Sequence, residues 1–117
     1  IQSFSEFQSI YPNDSLAVEA GNYIKELREK LAHREYFTAE LYRKIMSPES
    51  ALVYYESTID NYNDTKYLEL AYIGKIEVLV LMKKFEEALV TIDFFKKNFQ
   101  PGESMDKISL IEKSIPK

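Results

Sequence analysis

Four positions in this chain recur after a fixed interval of 37 residues, the distance from Ala39 to Ile76. The first set is Ala39, Tyr42, Ala51 and Tyr55, and the second set is Ile76, Leu79, Ala88 and Ile92. The turn-like segments that follow, 61–64 and 98–101, are separated by the same interval. A fixed period of this length is typical of helical repeat proteins, whose units bury their apolar faces against neighbouring units. The pattern therefore predicts an all-α array that binds other proteins.

The composition excludes several classes of function. A length of 117 residues indicates one domain, and the low numbers of Gly (3) and Pro (4) favour helix. The sequence has no cysteine and one histidine, His33, so it offers neither a metal-ligand cluster nor a nucleophile–base pair. The net charge is −4 and the basic residues are dispersed, which argues against nucleic-acid binding. We therefore predict that the protein is not an enzyme and uses no cofactor or metal.

The sequence was also searched for a membrane-spanning segment and for a targeting segment. The longest apolar run, 78–82, is far too short to cross a bilayer. The chain begins with Ile1 rather than Met, which predicts a piece of a longer protein or a processed chain. Any targeting segment would then lie outside this sequence.

Apolar periodicity and turn residues predict one helical-repeat domain over 1–117. Its predicted parts are the end of a preceding repeat at 1–11, one repeat at 15–62, a second repeat at 66–99, and a capping helix or tail at 103–117. Within the first repeat, 15–45 lacks any breaker except one glycine and predicts a single helix of about 30 residues, unusually long for a globular domain. Ser47 and Pro48 then mark the next helix start, because Pro is favoured in a first turn. We expect about five antiparallel helices in total.

The apolar residues also predict which faces are buried. Along the long helix, the predicted stripe consists of Leu16, Ala20, Ile24, Leu27 and Leu31, continued by Ala39, Tyr42 and Ile45. The helix predicted at 66–82 is apolar nearly all round its C-terminal half. Such a helix is typically enclosed by its neighbours, so we expect it in the middle of the array.

Four motifs in the first two thirds of the chain resemble those of a known family. They are the turn Tyr11-Pro12-Asn13-Asp14-Ser15, the run Leu27-Arg28-Glu29-Lys30-Leu31-Ala32, the segment Ala39-Glu40-Leu41-Tyr42 and the turn Asn61-Tyr62-Asn63-Asp64-Thr65. In this order and spacing they resemble the BamD (YfiO or ComL) lipoprotein family, the D subunit of the bacterial outer-membrane β-barrel assembly machinery. The resemblance extends over roughly residues 1–100 and corresponds to the C-terminal half of that family.

The resemblance implies a tetratricopeptide-like array that acts as a non-catalytic scaffold. It implies a protein on the periplasmic face of the outer membrane, attached only through a lipid anchor that this chain does not contain. The implied partners are the periplasmic domains of the barrel-insertion subunit and other assembly lipoproteins. The family's Arg-Gly helix junction is Ile45-Met46 here, and an Asn-Arg pair on the following helix is Val53-Tyr54. From the repeat pattern alone, the alternative is a generic tetratricopeptide adaptor that binds a peptide or partner protein.

Three residues near the predicted helix junction are candidates for partner binding. Tyr54 is one, because the neighbouring Tyr55 already supplies the core and tyrosine is favoured at interfaces. Arg43 and Glu49 flank the same junction and could form a charged rim. For each of them the alternative is a side chain that serves only packing or solvation.

Overall fold

Five helices follow one another along residues 15–116, the part of the chain that the computed structural model describes. They are α1 (Ser15–Lys44), α2 (Pro48–Asn61), α3 (Tyr67–Leu81), α4 (Phe85–Asn98) and α5 (Glu103–Ser114). The predicted all-α array of five helices is confirmed, including the long first helix of 30 residues. Over this range no helix has the length and apolar character needed to cross a bilayer. The helix end predicted at 1–11 lies outside the described residues.

Helix α3 lies at the centre of the array and packs against each of the other four helices. Its buried residues are Tyr67, Ala71, Ile73, Gly74, Ile76, Val78 and Leu79. The neighbouring helices α2 and α4 both pack on α3, while their own backbones stay apart from each other. The central position predicted from the all-round apolar character of this segment is confirmed.

The 37-residue echo corresponds to the core of the array. Seven of its eight positions are almost fully buried, and Tyr42 is half-buried. The first set belongs to a cluster where α1, α2 and α3 meet, and the second set belongs to a cluster formed by α3, α4 and α5. The repeated residues therefore mark the same packing positions in successive units, as expected for an array stabilised by contacts between neighbours.

The turns that close α1 and α3 have the same backbone conformation. Met46 and Lys83, which are 37 residues apart, both have a positive φ, 63° and 61°. Two hydrogen bonds close each turn in the manner of a Schellman motif. One of these two bonds runs from Ser47 N to Tyr42 O at 2.8 Å in the first turn, and from Lys84 N to Leu79 O at 2.9 Å in the second. The repeat is thus present in the backbone even where the residue types differ.

The predicted burial of α1 is wrong at both ends. Leu16 is 59% exposed and Ile45 is 62% exposed, whereas Ala17, which lies outside the predicted stripe, is fully buried. At the N-terminal end only Leu16 departs from the prediction, since the predicted residues from Ala20 to Tyr42 are buried or half-buried. At the other end the helix stops at Lys44, so Ile45 no longer follows the helical period and turns towards solvent.

Candidate docking surface

The junction between α1 and α2 exposes three large apolar side chains. Leu41 is 58% exposed, Ile45 62% and Met46 82%. Met46 occupies a left-handed conformation, which costs a non-glycine residue about 1–2 kcal/mol. A large apolar side chain held in a strained turn and turned outwards is the kind of feature that concentrates at binding sites. The sequence did not lead us to select Met46 as a candidate. The available signal was that Met46 stands where the family has glycine.

Tyr54 lies beside this junction and contributes to the fold. Its ring stacks on Tyr42, with centroids 5.4 Å apart and planes 13° from parallel. Both rings are half-buried, and both pack against the core cluster that contains Tyr55. Tyr54 therefore joins α2 to α1 through one face while part of its ring remains accessible.

Arg43 is engaged by a neighbouring helix rather than left free. Its Nη1 and Nη2 donate to Glu77 Oε1 and Oε2 of α3 at 3.1 and 3.0 Å. The hydrogen bonds to Glu77 raise the pKa of Arg43 above its usual value, against the effect of partial burial. This two-pronged contact fixes the end of α1 to the central helix.

Tyr55 lies on the buried side of the same cluster of polar side chains. Its hydroxyl donates to Glu40 Oε1 at 2.6 Å, and its side chain is fully buried. Burial, together with the nearby Glu40 carboxylate, raises the pKa of Tyr55 well above its ordinary range. The hydroxyl is therefore neutral at physiological pH and acts as a donor within the core.

Glu49 lies in the first turn of α2 and is exposed. It forms no ion pair with any residue between 15 and 116, and the structure does not join it to Arg43, which is bound to Glu77. Its charge favours the positive end of the helix dipole and remains available to a partner. Of the three predicted residues, Tyr54 and Arg43 are thus integrated in the fold, and Glu49 is the free charge at the junction.

Two of the motifs that carry the family resemblance, the run at 27–32 and the turn at 61–65, meet in space. Arg28 of α1 donates from Nη2 to Asp64 Oδ1 at 2.7 Å and to the carbonyl of Asn61 at 2.7 Å. Its guanidinium carbon also lies 5.4 Å from the centre of the Tyr62 ring. The adjacent Glu29 accepts a hydrogen bond from the backbone N–H of Lys66. The long-helix motif therefore holds the turn between α2 and α3 in place. This contact explains why both motifs occur in one sequence.

The Arg28–Asp64 contact predicts an acid-dependent loss of stability. The hydrogen bond from Arg28 holds the pKa of Asp64 below its ordinary value of 3.8. The unfolded chain therefore binds the proton at higher pH than the folded chain, so stability falls as pH decreases below about 4. We expect an NMR titration of Asp64 to give a depressed midpoint in the parent chain and an ordinary one in Arg28→Gln. Arg34→Gln, at an exposed position on the same helix, should leave it unchanged; equal midpoints in all three would contradict the contact.

His33, the single histidine, is an exposed helix residue with a hydrogen-bond partner. Its Nδ1 lies 2.6 Å from the hydroxyl of Tyr67, and its ring packs on Phe37 with centroids 4.4 Å apart. Between residues 15 and 116 the acidic residues and His33 form no group able to hold a metal ion. The geometry of this side chain is that of a link between α1 and α3.

The fold and these contacts define a tetratricopeptide-like helical repeat protein whose polar groups mainly join one helix to the next. A family model described as an outer membrane lipoprotein, YfiO, matches residues 1–93, and the chain belongs to this family. A comparison with curated proteins found no match. The resemblance predicted from the motifs is confirmed, and the family is one of non-catalytic outer-membrane assembly lipoproteins.

Proposed function

We propose that this chain is a scaffold of the outer-membrane protein assembly complex and docks on the periplasmic domains of the barrel-insertion subunit. Membership in the YfiO family supports the assembly role. The observation that carries the docking is the exposed apolar junction between α1 and α2, where Met46 is 82% exposed in a strained turn. The protein would act at the periplasmic face of the outer membrane, held by a lipid anchor, with other assembly lipoproteins as further partners.

The composition of this junction suits a protein interface. Ile45 and Met46 supply an apolar centre, the Tyr42–Tyr54 stack supplies aromatic surface, and Glu49 supplies a charge at the edge. Interfaces typically combine a buried apolar and aromatic centre with a polar rim, and a few central residues contribute most of the affinity. Arg43 would act mainly by holding the end of α1 against Glu77, so that the junction keeps one shape.

The test is a titration of the whole chain with the isolated periplasmic domains of the barrel-insertion protein. We expect saturable 1:1 binding, weakened about tenfold or more by Met46→Gly or Tyr54→Ala, since loss of a central contact costs more than 1 kcal/mol. Glu49→Gln should reduce mainly the association rate and its salt dependence. Thermal unfolding of each variant separates lost binding from lost folding, which matters for Tyr54 because its stacking contributes to the fold.

Lys83→Gly is the matched control for Met46→Gly. Both residues have the same left-handed conformation at equivalent turns, so both glycine variants should be about 1 kcal/mol more stable than the parent. Only Met46→Gly removes the exposed apolar side chain at the junction. Equal binding by the two variants would place Met46 outside the interface. Absence of saturable binding by the parent chain would refute the docking and favour a generic adaptor.

A further inference from the structure

A groove runs along α3 between helices α2 and α4, on a different part of the surface from the α1–α2 junction. Its floor is formed by Leu68, Tyr72, Lys75 and Leu79, which lie on one face of α3 at helical spacing. The groove exists because α2 and α4 both pack on α3 while their backbones stay apart from each other. Since the floor runs from Leu68 to Leu79, the groove is about 17 Å long, or three helical turns.

Two depressions lie end to end along this groove. The first, of about 500 Å³, lies near the C-terminal ends of α2 and α4. The second, of about 360 Å³, lies near the first turns of α4. Lys75 of the floor reaches Glu56 of α2, with Nζ and Oε2 3.3 Å apart, and this ion pair marks the boundary between them.

The first depression has an aromatic lining. The ring of Tyr72 lies 5.7 Å from that of Phe94 and 5.5 Å from that of Phe99, measured between centroids. Phe94 is 47% exposed, and Ile59 closes the side formed by α2. In the second depression Val90, which is 71% exposed, continues the apolar surface above the almost fully buried Leu79. The groove therefore offers two apolar positions for the side chains of a bound segment.

The edges of the groove are acidic. Asp60 borders the first depression, and Glu86 and Glu87 border the second. All three are exposed, and none forms an ion pair with another residue in the described range 15–116. The one lysine lining the groove, Lys75, is already paired with Glu56. The uncompensated negative charge selects a partner with lysine or arginine at matching positions.

We propose that this groove binds an amphipathic helix whose apolar stripe is flanked by lysine or arginine residues. The length of the groove matches about three turns of such a helix, and its two apolar depressions accept residues one or two turns apart. The acidic edges would pair with basic residues on the sides of the bound helix. This binding does not rest on the proposed docking to the barrel-insertion subunit, because it uses different residues.

The probes are fluorescein-labelled 18-residue peptides added to the whole chain. One set carries a leucine stripe flanked by lysines, with the leucine spacing varied; a second has glutamate for lysine; a third has a central proline that prevents a continuous helix. We expect saturable binding within the lysine set, weaker at high salt, and at least tenfold weaker binding of the other two. No saturable binding by any lysine peptide, or equal binding of the glutamate or proline peptides, would overturn the proposal.

Matched variants locate the binding. Val90→Glu and the double variant Glu86→Lys/Glu87→Lys should each weaken the lysine peptide at least tenfold. Val53→Glu, at the equivalent exposed position of α2, and Glu69→Lys, in the first turn of α3, should bind as the parent does. Circular dichroism confirms that each variant is folded. If the control variants weaken binding as much as the groove variants, the peptide binds elsewhere and the groove is refuted, whatever the outcome with the barrel-insertion domains.

Discussion

Replacing Gly74 with alanine should destabilise the protein by about 2 kcal/mol or more, although alanine normally stabilises a helix interior by about 1 kcal/mol. A Cβ atom on Gly74 would lie 2.8 Å from Cδ1 of Tyr55 and closer still to two other atoms of that ring. Tyr55 is fully buried between α1, α2 and α3, and its hydroxyl is fixed by Glu40. The ring cannot move aside without breaking that hydrogen bond, so the added methyl group overpacks the core. Chemical denaturation followed by circular dichroism measures the loss.

A second substitution tests this explanation directly. In Gly74→Ala/Tyr55→Leu the methyl group meets a smaller side chain. The double variant should therefore lose less stability than the two single variants added together, by about 0.5–3 kcal/mol. Gly102→Ala is the control, because a Cβ there meets no atom within 4 Å. If Gly74→Ala is as stable as the parent, the close approach of α3 to Tyr55 is not a feature of the folded protein.

Arg43→Ala should destabilise the fold by about 2 kcal/mol, because the carboxylate of Glu77 would lose both of its charge-assisted hydrogen bonds while remaining partly buried. The two side chains are 29% and 22% exposed, which places the pair between surface and interior behaviour. Replacing both residues, as in Arg43→Met/Glu77→Met, should restore most of the stability, since no charge is then left without a partner. The free energy of unfolding from urea titrations distinguishes the variants.

The surface pair Lys97–Asp93 provides the comparison. These side chains are 72% and 64% exposed and lie one turn apart on α4, so Lys97→Ala should cost only a few tenths of a kcal/mol. A similar small effect of Arg43→Ala would contradict its role in fixing α1 to α3. That result would also mean that the Arg43 side chain is available for direct contact with a partner.

The helix boundaries could be predicted closely because they depend on local chemistry. Pro48 begins α2 as expected from its fixed φ, and Gln100-Pro101-Gly102 separates α4 from α5. Ser47 occupies the predicted cap position, but its side chain makes no capping hydrogen bond. The central place of α3 was predictable for a similar reason, since a helix apolar on most sides can only be stable between neighbours.

The candidate site was predicted less well because its geometry depends on residues far apart in sequence. Tyr54 is a candidate from the sequence because Tyr55 already supplies the core, but its stacking on Tyr42 depends on the angle between α1 and α2. The sequence places Arg43 with Glu49 on a charged rim at the helix junction, whereas the structure binds Arg43 to Glu77 of α3. Met46 was overlooked because exposure and a left-handed backbone are properties of the folded turn, not of the methionine itself.

The sequence by itself determined the all-α repeat, the helix boundaries and the family, because these follow from residue spacing, turn chemistry and short motifs. Only the tertiary structure decided which residues are buried at the two ends of α1, which residue binds Arg43, why Gly74 must lack a side chain, and that Arg28 holds the turn at Asp64. These features arise from the distances and angles between helices. Such distances are fixed by the packing of all the side chains together, so no local pattern contains them.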